Sequence, residues 1–94
     1  MNFMGENIMT KEEFKKTLET AVGGTAYGDE IIEDLVAHFG ETGKYAQDAK
    51  DRLDERIATL KGWAKKHEAE GQADKAAEEL AKVAIAEKAL AASA

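Results

Sequence analysis

The C-terminal half of the chain repeats apolar residues at intervals of three or four positions. Side chains spaced in this way lie above one another on one face of an α-helix. The members of this stripe are Ala46, Ala49, Leu53, Ile57, Leu60 and Ala64. The pattern predicts a third helix from Lys44 to Glu70, about 40 Å long at 1.5 Å per residue.

A second, alanine-rich arm follows Gly71. Its large apolar residues are Leu80, Val83, Ile85 and Leu90. Alanine is the best helix former, and its small side chain lets two helix axes approach closely. Gly71 suits the C-terminal cap of the third helix. We therefore expect a fourth helix to begin near Ala73 or Asp74 and to fold back on the third.

The N-terminal part carries signals for two shorter helices. Thr10 and Glu13 form a capping box, in which each side chain accepts a hydrogen bond from a free backbone N–H, so a first helix is expected from there to Val22. A second helix is expected from Asp29 to Phe39. Its inward residues are Ile31, Ile32, Leu35, Val36 and Phe39.

Glycines mark the breaks on both sides of the second helix. Residues 23–29 form a glycine-rich stretch before a helix, where backbone N–H groups can hold a phosphate. No P-loop lysine follows, and Asp29 and Glu30 already place negative charge at the helix start, so a plain connector is the favoured interpretation. After the second helix, Thr42 or Gly43 is expected to cap the third.

These segments together predict an all-α fold. We expect a long antiparallel helical hairpin of helices 3 and 4, with the two shorter N-terminal helices packed on it. Residues 10–94 are expected to form a single helical domain after a flexible N-terminal tail over residues 1–9. The 94-residue chain has no proline, which suits long helices, and no cysteine, which excludes disulfides. Large apolar side chains are few, so we expect a homodimer or higher oligomer.

Charge is distributed unevenly along the chain, whose formal net charge is −6. Residues 1–43 hold nine acidic residues and three lysines, whereas residues 44–94 hold ten acidic and ten basic residues. Direct binding to nucleic acid needs a basic face, so the imbalance favours a basic protein surface as the partner. The sequence shows neither a membrane span nor a signal peptide, and we expect a cytoplasmic protein.

Patterns for catalysis are weak. His38 and His67 lie on different predicted helices, and neither belongs to a metal-binding motif. No serine or lysine has an activating neighbour in the sequence. We therefore expect no enzymatic activity, no metal and no cofactor.

Two surfaces are candidates for partner binding. The first is the acidic face of the second helix, expected to face solvent with only His38 as a nearby positive charge. Its residues are Asp29, Glu30, Glu33, Asp34 and Glu41. The alternative interpretation is a solvated face that only aids solubility.

The second candidate surface runs along the third helix, where four residues fall within about 40° of one another on the helical wheel. They are Tyr45, Arg52, Arg56 and Trp63. Trp, Tyr and Arg are the residue types enriched at binding hot spots. The alternative is that Tyr45 and Trp63 cover the core where helices 1 and 2 pack.

The stretch from Thr10 to Phe39, about a third of the chain, resembles the first two helices of colicin DNase immunity proteins. The shared residues are the helix start Thr10, Glu13 and Phe14, and the helix end Leu35, Val36, His38 and Phe39. In that family the acidic second helix contacts the nuclease, which implies a contact role for Glu30, Glu33 and Asp34. The short third helix of that family, with its paired tyrosines, is missing here, and the alanine-rich hairpin has no counterpart in it.

These observations lead to two hypotheses of function. The first is a small acidic inhibitor or adaptor, of the type that phages and mobile elements encode, which occludes a basic surface of a nuclease or other nucleic-acid-binding effector. The second is a self-assembling structural protein whose hairpin makes the contact between subunits.

Overall fold

A computed structural model of the chain describes residues 9–93, which form four α-helices and no strand. The helices are α1 (Lys11–Val22), α2 (Ala26–Ala37), α3 (Tyr45–Ala69) and α4 (Ala73–Ser93). α3 packs along α4, and α1 and α2 contact both each other and α4. The predicted all-α hairpin with two N-terminal helices packed on it is confirmed. Most of the predicted tail, residues 1–8, lies outside the described residues.

The turn of the hairpin has the hydrogen bonds of a Schellman motif. Gly71 adopts a φ of +75°, its N–H donates to the Glu68 carbonyl at 3.1 Å, and the Gln72 N–H donates to the His67 carbonyl at 2.8 Å. These bonds satisfy carbonyls that the end of α3 would otherwise leave free. Gly71 thus ends α3 one residue after the C-cap Glu70, rather than being the cap itself, and the predicted start of α4 at Ala73 is confirmed.

The capping box at the start of α1 is present as predicted. The Glu13 N–H donates to the Thr10 hydroxyl at 3.1 Å, and the Thr10 N–H donates to the Glu13 carboxylate at 2.9 Å. Phe14, Leu18 and Val22 are buried along one face of α1. They join the core of the domain together with Ile31, Ile32, Leu35, Ala49, Leu53, Ala86 and Ala89.

The predicted start of α2 at Asp29 is wrong by three residues. Thr25 is the N-cap, and its hydroxyl accepts from the Gly28 N–H at 3.0 Å, so Gly28 lies inside the helix. A Cβ atom at Gly28 would lie 1.9 Å from the Val22 carbonyl oxygen. Glycine is therefore required because α2 passes the end of α1 at this point. α2 also ends at Ala37, before the predicted Phe39.

Three aromatic rings fix the junction of α1, the end of α2 and the start of α3. The ring centroids of Phe14 and Phe39 lie 5.1 Å apart, those of Phe14 and Tyr45 5.6 Å, and those of Phe39 and Tyr45 5.1 Å. The predicted cap of α3 by Thr42 or Gly43 is wrong, since Lys44 occupies the N-cap without a side-chain bond. Thr42 instead donates from its backbone N–H and its hydroxyl to the Asp48 carboxylate.

Candidate protein-docking surface

The two candidate surfaces predicted from the sequence meet each other at Asp34. Its carboxylate lies 2.9 Å from Nη2 of Arg52 and 3.2 Å from Nη2 of Arg56, and only 18% of its side chain is exposed. The expectation that Asp34 faces solvent beside His38 alone is therefore wrong. Asp34 points from α2 towards α3, where two guanidinium groups bind it.

Arg56 is the most heavily bonded side chain of this group. Its Nη1 donates to the Glu30 carboxylate at 3.0 Å and to the Tyr27 hydroxyl at 3.3 Å, in addition to its bonds with Asp34. The Tyr27 ring also lies near two cations, 5.6 Å from the Arg56 guanidinium carbon and 5.7 Å from Nζ of Lys82 on α4. Both arginines of the predicted stripe thus have acidic partners within the chain.

The group of contacting side chains also includes His38 and Glu41. His38 Nε2 lies 3.9 Å from the Asp34 carboxylate, and its Nδ1 lies 3.0 Å from the Glu41 carboxylate. We call the connected residues the Asp34 cluster. Its members are Tyr27, Glu30, Asp34, His38, Glu41, Arg52 and Arg56. The cluster links α2 to α3 through long side chains.

Arg52 and Arg56 favour the charged form of Asp34. Partial burial alone would raise the pKa of Asp34, but hydrogen bonds and charge attraction from Arg52 and Arg56 outweigh burial and lower it. Burial likewise disfavours the charged form of Arg56, yet its bonds to Tyr27, Glu30 and Asp34 prevail and raise its pKa. A cleft of about 340 Å³ beside the cluster is lined by Asp34, Arg52, Glu55, Arg56 and Thr59. Its two guanidinium groups are already paired with carboxylates.

Asp29 and Glu33 are exposed, and they lie on a different side of α2 from Asp34. This side of α2 lies next to α1. They border a groove of about 470 Å³ between the two helices, here called the α1–α2 groove. It is lined by Lys15, Glu19, Asp29, Ile32, Glu33, Val36 and Ala37. Ile32 and Val36 form its apolar floor, since Ile32 is 6% exposed and Val36 is half-buried. The predicted acidic face is therefore divided between this groove and the Asp34 cluster.

Sequence reasoning missed the contribution of α1 to this surface. Glu19 lies on the rim of the groove, although it was not among the predicted contact residues. A signal for the groove is present in the sequence: Ile32 and Val36 are four residues apart, with Glu33 beside them. The missing information was the position of α1, which the sequence pattern alone does not give.

The second predicted surface is divided in the same way. Tyr45 packs in the aromatic junction, so the core interpretation is right for this residue. Trp63 is 47% exposed, so the core interpretation is wrong for it. The Trp63 ring stacks at 6.3 Å on the ring of His67 and lies 5.3 Å from Nζ of Lys66. Arg52 and Arg56 belong instead to the Asp34 cluster.

Residues 9–93 contain neither a cluster of metal ligands nor a membrane-spanning helix. No three His, Cys, Asp or Glu side chains in this range are arranged to hold a metal ion. No described helix combines the length and apolar character that a membrane crossing requires. Comparisons with models of protein families, with curated proteins and with solved structures found no match.

Proposed function

We propose that the protein is a small binding protein that docks the outer surface of α1 and α2 on a basic surface of another protein. The α1–α2 groove is the observation that carries this proposal. It combines an apolar floor with the exposed carboxylates of Glu19, Asp29 and Glu33 and one lysine, Lys15. Apolar contact would supply affinity, and the carboxylates would supply orientation and selectivity.

The distribution of charge along the chain also supports a basic partner. All of the formal net charge of −6 belongs to residues 1–43, in which α2 holds four acidic residues and no basic one, whereas α1 holds three of each. Complementary charge speeds the encounter of two proteins and disfavours partners of like charge. Nucleic acid is a polyanion and is therefore disfavoured as a direct ligand of this surface.

Basic surfaces of the required kind occur on nucleases and other nucleic-acid-binding effectors, which need cations to hold phosphates. A protein bound to such a surface excludes the nucleic acid from it. The mechanism that we propose is therefore occlusion: the surface formed by the acidic α2 and by α1 occupies the site where phosphates would bind. Asp34 takes no direct part, because Arg52 and Arg56 already bind its carboxylate.

Affinity capture from host lysate with three versions of the chain tests this proposal. The double variant Asp29→Lys/Glu33→Lys reverses the charge of the groove rim. The control Glu78→Lys/Glu87→Lys makes the same change in net charge at exposed positions of α4. We expect wild type and control to capture the same basic protein, and the groove variant to lose it. Undiminished capture by a folded groove variant would exclude this surface.

Self-assembly is a second candidate function, favoured by the exposure of Leu80. Leu80 is 51% exposed on α4. Exposed alanines on the same stripe are Ala73, Ala77, Ala84 and Ala91. Ala76 and Val83, on the other side of α4, are buried at 5% exposure each. A contact between copies would therefore use the stripe around Leu80.

A further inference from the structure

We infer that the α1–α2 groove receives an amphipathic α-helix of the partner, with apolar residues at its centre and lysine or arginine on both flanks. This inference rests on the proposed function and specifies the part of the partner that α1 and α2 bind. It follows from the length of the groove, the spacing of its floor and the placement of its charges.

The floor has the spacing that a helix can match. Ile32 and Val36 are four residues apart on α2, so their side chains lie one above the other along the helix axis. The α2 part of the lining runs from Asp29 to Ala37, about 12 Å or two turns at 1.5 Å per residue. A helix bound in such a groove inserts side chains at intervals of three or four positions. These intervals match the four-residue spacing of Ile32 and Val36 along α2.

Carboxylates lie on both walls of the groove. Glu19 stands on α1 together with Lys15, the one cation in the lining, and Asp29 and Glu33 stand on α2. A helix seated over Ile32 and Val36 would direct its flanking side chains towards these two walls. A basic flank would therefore find two carboxylates on the α2 wall and the Glu19 carboxylate on the α1 wall, whereas an acidic flank would meet like charges from all three and only Lys15 as a cation.

The probe for this inference is a designed 18-residue peptide of leucine, lysine and alanine, with leucines along one helix face and lysines on both flanks. A matched peptide carries glutamate in place of every lysine. Each is titrated into ¹⁵N-labelled full-length protein and followed by amide chemical shifts. We expect the lysine peptide to shift the amides around Ile32 and Val36, and the glutamate peptide to shift none of them.

Three variants separate the contributions of floor and rim. Val36→Ser makes the floor polar, Asp29→Lys/Glu33→Lys reverses the rim, and Leu80→Ser removes an exposed apolar side chain that does not line the groove. Circular dichroism first establishes that each variant is folded. We expect Val36→Ser to weaken binding about tenfold, the rim variant to abolish it, and Leu80→Ser to leave it unchanged.

The outcomes distinguish this inference from the proposed function. If the rim variant loses binding and Val36→Ser retains it, the proposed docking on a basic surface is supported. The inference that a helix of the partner occupies the groove is then overturned. If neither variant changes binding, both proposals fall. Equal shifts with the glutamate peptide also overturn the inference. Groove shifts that appear on concentrating the protein alone would identify a second copy as the occupant, and would overturn it as well.

Discussion

Arg56 and Asp34, 22 positions apart in the chain, bind each other across α2 and α3 through contacts of 3.2 Å and 3.4 Å. Arg52 binds the other oxygen of the same carboxylate. One acidic side chain thus holds two cations of a neighbouring helix. This arrangement makes Asp34 a structural residue that joins α2 to α3.

Replacing Asp34 with asparagine should destabilise the fold, because Arg52 and Arg56 would lose the anion between them. A fully buried pair costs about 3–5 kcal/mol to break. Arg52 is 38% exposed, and water can solvate it partly, so we expect a loss of about 1–2 kcal/mol. Urea unfolding followed by circular dichroism measures this loss. Glu33→Gln is the matched control and should stay within about 0.5 kcal/mol of wild type.

The same carboxylate should make stability depend on pH in the acid range. The pKa of Asp34 is lowered in the folded protein, so the unfolded chain binds its proton at a higher pH. The stabilisation is complete above the ordinary pKa of about 3.9 and is lost as pH falls through the lowered value. The difference in unfolding free energy between wild type and Asp34→Asn should therefore shrink below about pH 4. A constant difference down to pH 2 would contradict this assignment.

Two glycines should respond to alanine in opposite ways. Gly28→Ala would place a Cβ 1.9 Å from the Val22 carbonyl oxygen, and the resulting displacement of α1 from α2 should cost about 2 kcal/mol or more. Gly62 on α3 has open space around its Cβ position. Gly62→Ala should therefore stabilise the protein by about 0.5–1 kcal/mol through helix propensity. Thermal melts of the two variants test both signs.

Self-association should depend on Leu80, if the chain assembles as the second candidate function requires. Light scattering of wild type at high concentration would then give the mass of a dimer or larger particle. Leu80→Asp should return the mass to that of one chain without loss of helix, because the side chain is exposed. A wild-type monomer at high concentration would exclude this contact.

Features that depend on neighbouring residues could be predicted from the sequence. The capping box of Thr10 and Glu13 and the end of α3 at Gly71 are examples, because each requires only a few adjacent positions. The start of α2 was missed because Gly28 is required by a contact with α1, and sequence patterns of α2 do not report it.

The candidate site was predicted less completely for the same reason. Glu30 and Asp34 are four apart on α2, and Arg52 and Arg56 are four apart on α3. This matched spacing of opposite charges is a signal that the two faces can meet. The sequence does not give the orientation of α2 relative to α3. The acidic face of α2 and the arginine face of α3 therefore each have the pattern of a free binding surface.

The hairpin is covered by other helices along only part of its length. Ala49, Leu53, Ala86 and Ala89 belong to the core that α1 and α2 share. Towards Gly71, the buried side chains of the hairpin lie outside that core: Leu60, Ala64, Ala76 and Val83. Cooperative opening should therefore begin at the turn, where fewer contacts must break. Amide hydrogen exchange should be fastest around Gly71 and slow progressively towards Leu53, so that one end of the hairpin opens while the surface of α1 and α2 stays folded.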